Sequence, residues 1–463
     1  MRKYSVFLIL IISLASRGYA VTDSLIFIRK ITLLGNHITR DYILYRELVF
    51  KVGDSLSPEN FELKLKKSTE NLMNISLFNF VTISPIITEN KASIAINVTE
   101  RWYIWPIPQF DLADRNFNTW WKTQDFKRVN YGVDLNIYNF RGRNETVDFL
   151  LSLGYDEKYG ISYKIPYINK KQTLGLILMA DYARNHEVAV NTRNNKIEFF
   201  KDPAYYPKQS IALGGGITYR RNIHNSHLLQ LSYEAYRFSD TLLRLNPSYS
   251  NSQQLNTAYL TFYYQFKNDY RDYKPYPLIG HYFDVEISKS GLGFLSTTPE
   301  YPDFFSLKST YRRFWKLSSQ FYDAFGITLA FTPEYPYYIQ NGLGFGRDYV
   351  RGYEYYVING QGFGLLKTNF KYALLTQKVS KLNFIKTEKF NTIPYSFYMN
   401  FFVDAAYVYN KEKDSYNSLT NSLLLGTGIG IDFVTYYDKV LRVEYSFNKK
   451  GESGFFIHFM TSI

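Results

Sequence analysis

From Trp102 to the C-terminus, side chains alternate between polar and apolar with a period of two residues. Between 259 and 267, for example, leucine, phenylalanine and tyrosine at the even positions share one face, and the other face carries threonine, glutamine and lysine. The same alternation recurs at 229–236 and at 441–447. A period of two is that of a β-strand, so this part of the chain is predicted to form a large antiparallel sheet.

The alternating segments number about sixteen, and an even number is typical of single-chain bacterial membrane barrels. They are 102–112, 129–139, 145–154, 159–166, 172–183, 208–220, 226–238, 255–267, 279–289, 304–316, 320–332, 362–374, 397–409, 421–433, 440–448 and 453–461. Most of the long connections are predicted at one end of the sheet. The connection 376–395 is the exception, since it is long and falls at the other end.

Alternation alone does not separate a soluble β-sandwich from a membrane barrel, since both have one polar and one apolar face. Residues 1–20 have a basic start, an apolar run and a small-residue end, the pattern of a secretory signal peptide. No later run reaches the roughly 18 apolar residues of a spanning helix. With 44 tyrosines and 37 phenylalanines, the composition suits the aromatic girdles of an outer-membrane barrel.

The chain has no cysteine, which excludes a lipid-anchored lipoprotein and a disulfide framework. Removal of the leader lowers the net charge from +13 to +10, because Arg2, Lys3 and Arg17 are lost. Nucleic acid is not predicted as a partner, since a secreted chain rarely meets it. Basic side chains in polar loops and a polar lumen account for the excess, and outer-membrane lipid is a candidate partner for some of it.

Residues 23–101 read as a separate small domain of order β-α-α-β-β, about 75 residues long. The segment resembles a POTRA domain. The residues that carry the resemblance are Gly35-Asn36, Arg46-Glu47-Leu48, Gly53-Asp54, Leu77-Phe78 before Val81, and the terminal Glu100-Arg101. Residues 102–463 are then predicted as the barrel.

A glycine- and aromatic-rich segment, 336–362, separates two predicted strands and contains Val350-Arg351-Gly352-Tyr353. This motif resembles the signature loop of the BamA/TamA-like outer-membrane assembly-barrel superfamily, also called the bacterial surface antigen family. The resemblance implies that the loop folds into the lumen and that Arg351 pairs with an aspartate on a lumen-facing strand. The run 402–406 resembles the aspartate motif, with Asp404 as the partner and Ala406 where the family usually has glycine.

The final segment, 452–459, resembles the terminal signal by which barrel proteins are themselves assembled. The first barrel strand, near Trp102, and the last, with Phe455 and Phe459, are predicted to meet at a seam. The predicted fold is therefore mainly β: a 16-stranded antiparallel transmembrane β-barrel preceded by one POTRA domain.

No enzyme is predicted, and no cofactor, metal ion or catalytic residue. The alternating glycines of 342–346 and 426–430 lack the strand–turn–helix context of a dinucleotide site. His224 and His227 lie in a short turn without a third ligand.

The resemblance implies a protein that inserts β-barrel proteins into the outer membrane of a Gram-negative-type bacterium or translocates proteins across it. Its partners would be unfolded outer-membrane or secreted proteins and periplasmic accessory proteins, with the POTRA domain in the periplasm. One alternative is a two-partner secretion transporter, which typically carries two POTRA domains and a plug helix; between Ala20 and the first strand there is no room for that helix. Another is a passive porin, which needs neither the POTRA segment nor the loop. One POTRA domain favours an accessory role.

Overall fold

The computed structural model describes residues 25–112, 129–202, 204–250, 253–292, 302–411, 416–435 and 437–459. The predicted leader lies outside the described residues, as do the predicted loop 113–128 and the end of the last predicted strand. Within the described part, every helix is too short or too polar to cross a membrane.

The N-terminal domain is a four-stranded sheet covered by two helices. Its elements are β1 (Ile26–Leu34), α1 (Asp41–Glu47), β2 (Ser55–Leu56), α2 (Pro58–Asn74), β3 (Phe78–Thr88) and β4 (Lys91–Glu100). The strand order is β2-β1-β4-β3, with β1 and β4 parallel. Helix α2 begins at Pro58, and the Ser57 side chain caps its first turn. Its apolar face packs on the sheet through Phe61 and Leu72.

The sixteen predicted barrel strands are confirmed as one antiparallel sheet. The strands are β5 (Ile104–Leu112), β6 (Val129–Phe140), β7 (Glu145–Gly154), β8 (Asp156–Ile165), β9 (Leu174–Asn185), β12 (Lys208–Tyr219), β13 (Asn225–Phe238), β14 (Asn256–Asp269), β15 (Gly280–Ser290), β16 (Phe304–Lys316), β17 (Phe321–Phe331), β20 (Gly362–Lys381), β21 (Thr392–Tyr409), β22 (Leu423–Thr435), β23 (Lys439–Asn448) and β24 (Ser453–Phe459). Each pairs with the next along the chain, and β5 and β24 are the two ends of the ladder.

The two faces of this sheet have the polarity of a membrane barrel. Along β22, Leu425, Ile429 and Ile431 are exposed on the outer face, whereas Asp432 on the inner face is fully buried. On β23, Val443 is exposed and Glu444 is buried. A soluble sandwich would place its polar face in water, so the inverted arrangement indicates a cylinder whose apolar side faces lipid.

Short elements that the alternation did not predict lie in the connections. They are the hairpin β10 (Glu187–Arg193) and β11 (Lys196–Lys201), helix α3 (Asp240–Leu245), a 3-10 turn (Tyr337–Ile339), and the pair β18 (Gly342–Leu343) and β19 (Ile358–Asn359). We call the barrel end on which the N-terminal domain sits the near rim, and the opposite end the far rim. The hairpin, helix α3 and the 3-10 turn cluster at the far rim around Tyr249 and Tyr338. The β18–β19 pair packs instead with Val350 and Tyr353.

The predicted long connection 376–395 is wrong. Strand β20 continues to Lys381 and β21 begins at Thr392, so the two strands form a hairpin that extends past the near rim. Its tip carries the one-turn helix α4 (Glu388–Asn391). The register shifts after Ala373 and again after Leu375, and such irregularities interrupt the alternation by which strands are recognised in a sequence.

Candidate functional site

The connection between β17 and β20, residues 332–361, folds back into the barrel, and we call it the lumen loop. Val350, Arg351, Gly352 and Tyr353 form a tight turn, in which the Tyr353 amide donates to the Val350 carbonyl at 3.0 Å. Gly352 has φ +89°, a conformation that side chains disfavour. The turn presents the Arg351 side chain to the barrel wall.

Arg351 is 1% exposed and Asp404 is 0% exposed. The guanidinium binds this carboxylate in a bidentate manner, with Nε to Oδ2 at 2.8 Å and Nη2 to Oδ1 at 2.5 Å. Its remaining donors reach the Asn369 side chain at 2.6 Å and the Thr368 carbonyl at 2.9 Å. The guanidinium also stacks 3.8 Å from the Phe402 ring centroid. Every polar edge of the arginine is therefore matched, which buried charges require.

A glycine in the wall lets the lumen loop approach this closely. A β-carbon at Gly426 would lie 1.9 Å from the Arg351 carbonyl oxygen, so any side chain there would displace the loop. On the other side, Asn448 donates to the Gly352 carbonyl at 2.8 Å. Gly426 of β22 thus provides the surface on which the turn is seated.

Apolar packing fixes the rest of the turn. Val350 and Tyr353 are buried with Leu424 in a cluster that also contains Ala406. Ala406 stands where the family usually has glycine, and its methyl adds bulk beside the loop. In the structure it lies inside this cluster, and the Arg351–Asp404 contacts remain at hydrogen-bond length.

A second segment fills the lumen from the near rim. Tyr276, in the connection between β14 and β15, is buried and donates to Asp432 at 2.7 Å, and Arg442 binds the same carboxylate at 2.6 and 2.9 Å. The Lys371 ammonium lies 4.2 Å from the Tyr276 ring centroid. From alternation alone, Lys367, Lys371, Arg442 and Glu444 are interpreted as ordinary wetted positions of a polar lumen. That interpretation is wrong for Lys371 and Glu444, which are buried by these inserted segments.

The end strands β5 and β24 carry the predicted seam residues. Trp102 lies two residues before β5, which begins at Ile104 rather than at 102. Phe455 and Phe459 on β24 point outward and are 73% and 78% exposed.

Strand β5 contains Pro106 and Pro108, which the sequence analysis did not single out. Its pairing with β6 runs through both prolines without a break. Because proline has no N–H, this continuity requires both nitrogens to face away from β6. Two successive backbone donors are therefore missing from the seam edge of β5.

The extended hairpin reaches the near-rim end of this seam. Phe390 packs against Trp102 and Trp105 with ring centroids 6.0 and 6.3 Å apart, and Tyr437 lies 4.8 Å from Trp105. We call Trp102, Trp105, Phe390 and Tyr437 the aromatic clamp. It joins the β20–β21 hairpin and the β22–β23 turn to the start of the first barrel strand.

The N-terminal domain is tied to the near rim by a buried ion pair. Arg101 binds Asp438, in the β22–β23 turn, with two hydrogen bonds of 2.7 and 3.0 Å. Ser76 donates to the same carboxylate at 3.0 Å, and the Tyr273 hydroxyl also donates to it. Burial alone would raise the pKa of Asp438, but the hydrogen bond and charge of Arg101 outweigh it and lower that pKa below its usual value.

A second tie lies on the opposite side of the near rim. Arg220, in the β12–β13 turn, binds Glu47 of α1 at 2.8 and 2.9 Å, and Tyr167 donates to Glu47 at 3.2 Å. The Arg40 amide donates to the Gly142 carbonyl at 2.9 Å. The domain thus contacts several rim turns at once and lies over the barrel mouth.

A filled sixteen-stranded cylinder behind one small sheet domain defines an outer-membrane β-barrel protein with a periplasmic-type domain. Family models agree with this class. The POTRA model, described as a surface antigen variable number repeat, matches residues 26–101, and the Omp85 superfamily domain matches residues 139–448. The chain belongs to the Omp85 superfamily.

Solved structures show the same fold. BamA from Haemophilus ducreyi lacking POTRA domains 1–3 is 17% identical, with a TM-score of 0.51 over 94% of this chain and 83% of that one. CdiB from Escherichia coli is 11% identical, with a TM-score of 0.55 over 94% of this chain and 75% of that one. Comparison with curated proteins found no significant match.

Proposed function

We propose that this protein inserts β-barrel proteins into the outer membrane of a Gram-negative-type bacterium, with its POTRA domain in the periplasm. The observation that carries the proposal is the seam edge of β5, where Pro106 and Pro108 remove two backbone donors. A closed sheet separates most readily where its hydrogen bonds are fewest. An incoming strand can then pair at the opened edges and be released sideways into lipid.

The POTRA sheet offers a first docking place for an unfolded client. Strand β3 is an end strand of that sheet, and Ile86 and Ile87 on it are exposed. An extended segment of an unfolded outer-membrane protein would add to this edge by β-augmentation. The lumen loop, held by Arg351 and Asp404, would brace the barrel while the seam opens.

The filled lumen argues against a passive porin. The turn around Arg351 enters from the far rim and Tyr276 from the near rim, and both are buried. A two-partner secretion transporter would have to displace both segments to export its partner through the lumen. Lateral insertion leaves them in place, which is why we favour it.

Reconstitution in liposomes tests the proposal. An unfolded outer-membrane protein is added, and a photo-crosslinker is placed at Ile107 on β5 or, as a control away from the seam, at Leu329 on β17. We expect crosslinks between Ile107 and the client's final strand, and none at Leu329. Client insertion without crosslinks at Ile107 would refute a role for the seam. A large, steady open conductance without client would instead support the porin.

A further inference from the structure

We propose that Glu354, Glu444 and His458 form a binding site for a divalent metal ion of the zinc type inside the lumen. Three different elements supply these side chains: the lumen loop, strand β23 and the last strand β24. All three are polar groups in the barrel interior. One ligand atom from each lies within 4.8 Å of the others.

The spacing of the three groups fits a tetrahedral ion. The His458 Nε2 atom lies 3.2 Å from Glu444 Oε1 and 3.6 Å from Glu354 Oε1. Zinc binds imidazole nitrogen and carboxylate oxygen at about 2.0–2.2 Å, so tetrahedral ligands are separated by about 3.3–3.6 Å. Two carboxylates also neutralise a divalent charge, and three protein ligands leave a fourth position for water.

The hydrogen bonding leaves the Glu444 carboxylate and the His458 Nε2 atom available. Glu444 is 1% exposed, yet within the described part of the chain neither of its oxygens accepts a hydrogen bond of acceptable geometry. The His458 Nε2 atom likewise makes none there, despite its short distance to the carboxylate. Buried carboxylates normally have such partners, because an uncompensated charge in a protein interior is costly. A cation among the three groups would remove that cost.

Neighbouring contacts orient two of the ligands toward the shared point. The Gly352 amide donates to Glu354 Oε2 at 2.9 Å, and Glu354 Oε1 lies 3.6 Å from His458 Nε2. The other ring nitrogen of His458 lies 3.3 Å from the Tyr349 hydroxyl. Metal-bound histidines are commonly held in this way through their second nitrogen.

The nearest arginines do not replace the ion. Arg351 is engaged by Asp404 and Arg442 by Asp432, each through two hydrogen bonds. A protonated His458 between two carboxylates is the competing explanation, and it predicts no metal binding. A bound ion would connect the lumen loop directly to the last strand of the barrel, which forms one side of the seam.

Metal titration of the purified, folded protein in detergent decides between these explanations. After treatment with a chelator, the protein is titrated with Zn²⁺ by calorimetry and with Co²⁺ by visible absorption. We expect one equivalent of each ion to bind, and Co²⁺ to show the spectrum of tetrahedral coordination. Failure of the unaltered protein to bind either ion in stoichiometric amount would overturn the proposal without recourse to variants.

Variants then assign the ligands. H458Q and E444Q should each weaken zinc binding by more than about tenfold. H281Q is the matched control, since His281 is also on a barrel strand but contacts Asn268 and Arg313. Equal loss in H281Q would refute the assignment. Heat-dependent gel mobility checks that each barrel has folded, and E354Q, on the loop rather than a strand, gives an independent test.

Discussion

At the scale of single residues, the Arg351–Asp404 pair joins the lumen loop to the barrel wall. Both side chains are fully buried, and the guanidinium finds partners on β20 and β21 at once. Such a pair adds modestly to stability while it is complete, because desolvation offsets much of the attraction. Its loss is costly, because the remaining partner is then a buried, uncompensated charge.

Replacement of Arg351 by alanine should therefore destabilise the barrel by about 3–5 kcal/mol, since Asp404 is left without its cation. Denaturant unfolding in detergent measures the change. R347A is the matched control, because Arg347 lies in the same loop and is exposed. An equal effect of the two substitutions would show that Arg351 is not the attachment point of the loop.

A second prediction at this scale concerns a substitution at Gly426. In G426A the new methyl would overlap the Arg351 carbonyl oxygen, which lies 1.9 Å from the β-carbon position, so the turn should leave its seat. Proteolysis within the lumen loop should then become faster in the folded barrel. G364A, whose β-carbon would meet only Leu329 at 3.5 Å, should leave the cleavage rate unchanged. If the loop of G426A were cleaved no faster than that of the unaltered protein, the turn would not depend on Gly426 for its position.

Part of this site could be predicted from residues alone. Alternation along β21 places Asp404 on the inner face with Phe402 and Ala406, and the motif around Arg351 supplied the candidate partner. Glu354, Glu444 and His458 could not be grouped in the same way. Glu444 and His458 lie on the paired strands β23 and β24, and Glu354 reaches them only because the lumen loop folds back into the barrel.

At the scale of elements, the two end strands of the sheet differ in what they offer a partner strand. Pro106 and Pro108 deprive the seam edge of β5 of donors, while its pairing with β6 is continuous. The aromatic clamp sits at the near-rim end of the same strand. The start of β5 is thus held by side chains, and beyond it the edge of β5 that faces away from β6 lacks two backbone donors.

Restoring the donors should strengthen the seam. The double variant P106V/P108V adds two backbone N–H groups, each contributing about 0.5–1.5 kcal/mol when paired. We expect a higher unfolding midpoint and slower client insertion into liposomes. I107V/Q109V is the control, because Ile107 and Gln109 already have backbone N–H groups and these groups face β6. This variant therefore adds no donor at the seam edge. Insertion at an unchanged rate in P106V/P108V would count against opening at this edge.

Strands were predictable where their register is regular. The sixteen segments follow from period-two alternation, which depends only on neighbours in sequence. The extension of β20 and β21 past the near rim was missed because the register shifts between Ala373 and Lys378. The insertion of Tyr276 was also missed, because a side chain's entry into the lumen depends on the closed shape rather than on local pattern.

At the scale of the whole molecule, the POTRA domain covers the near-rim mouth of the barrel. It is held by Arg101 with Asp438 on one side and by Glu47 with Arg220 on the other. The domain and the barrel are therefore one packed unit in this state. Access to the lumen from the near rim requires at least one of these ties to break.

Acid should loosen the docked domain. The pKa of Asp438 is lowered in the folded state, so its contribution is complete above the unfolded value of about 3.9 and is lost as pH falls through the lowered folded value. D438N should loosen docking at neutral pH by about 1.5–3 kcal/mol, the value of hydrogen bonds to charged groups. The chain has no cysteine, so spin labels can be attached only at K66C in the POTRA domain and K170C in the barrel. The distance between the two labels then reports the docking of the domain.

For D438N we expect a broader distribution of the distance between the two labels at neutral pH. It should resemble the distribution that the labelled protein with Asp438 intact shows in acid. D240N, which changes an exposed aspartate at the far rim, should leave the distribution narrow. A distribution unaffected by D438N at every pH would show that this ion pair does not hold the domain.

The connection between the POTRA sheet and the first barrel strand is short and fixed in position. Strand β4 ends at Glu100 and β5 begins at Ile104, and of the residues between them Arg101 and Tyr103 are buried and hydrogen-bonded. Any rotation of the domain must therefore move the start of β5 directly. A client that pulls on the domain would exert torque on the very strand that borders the opening.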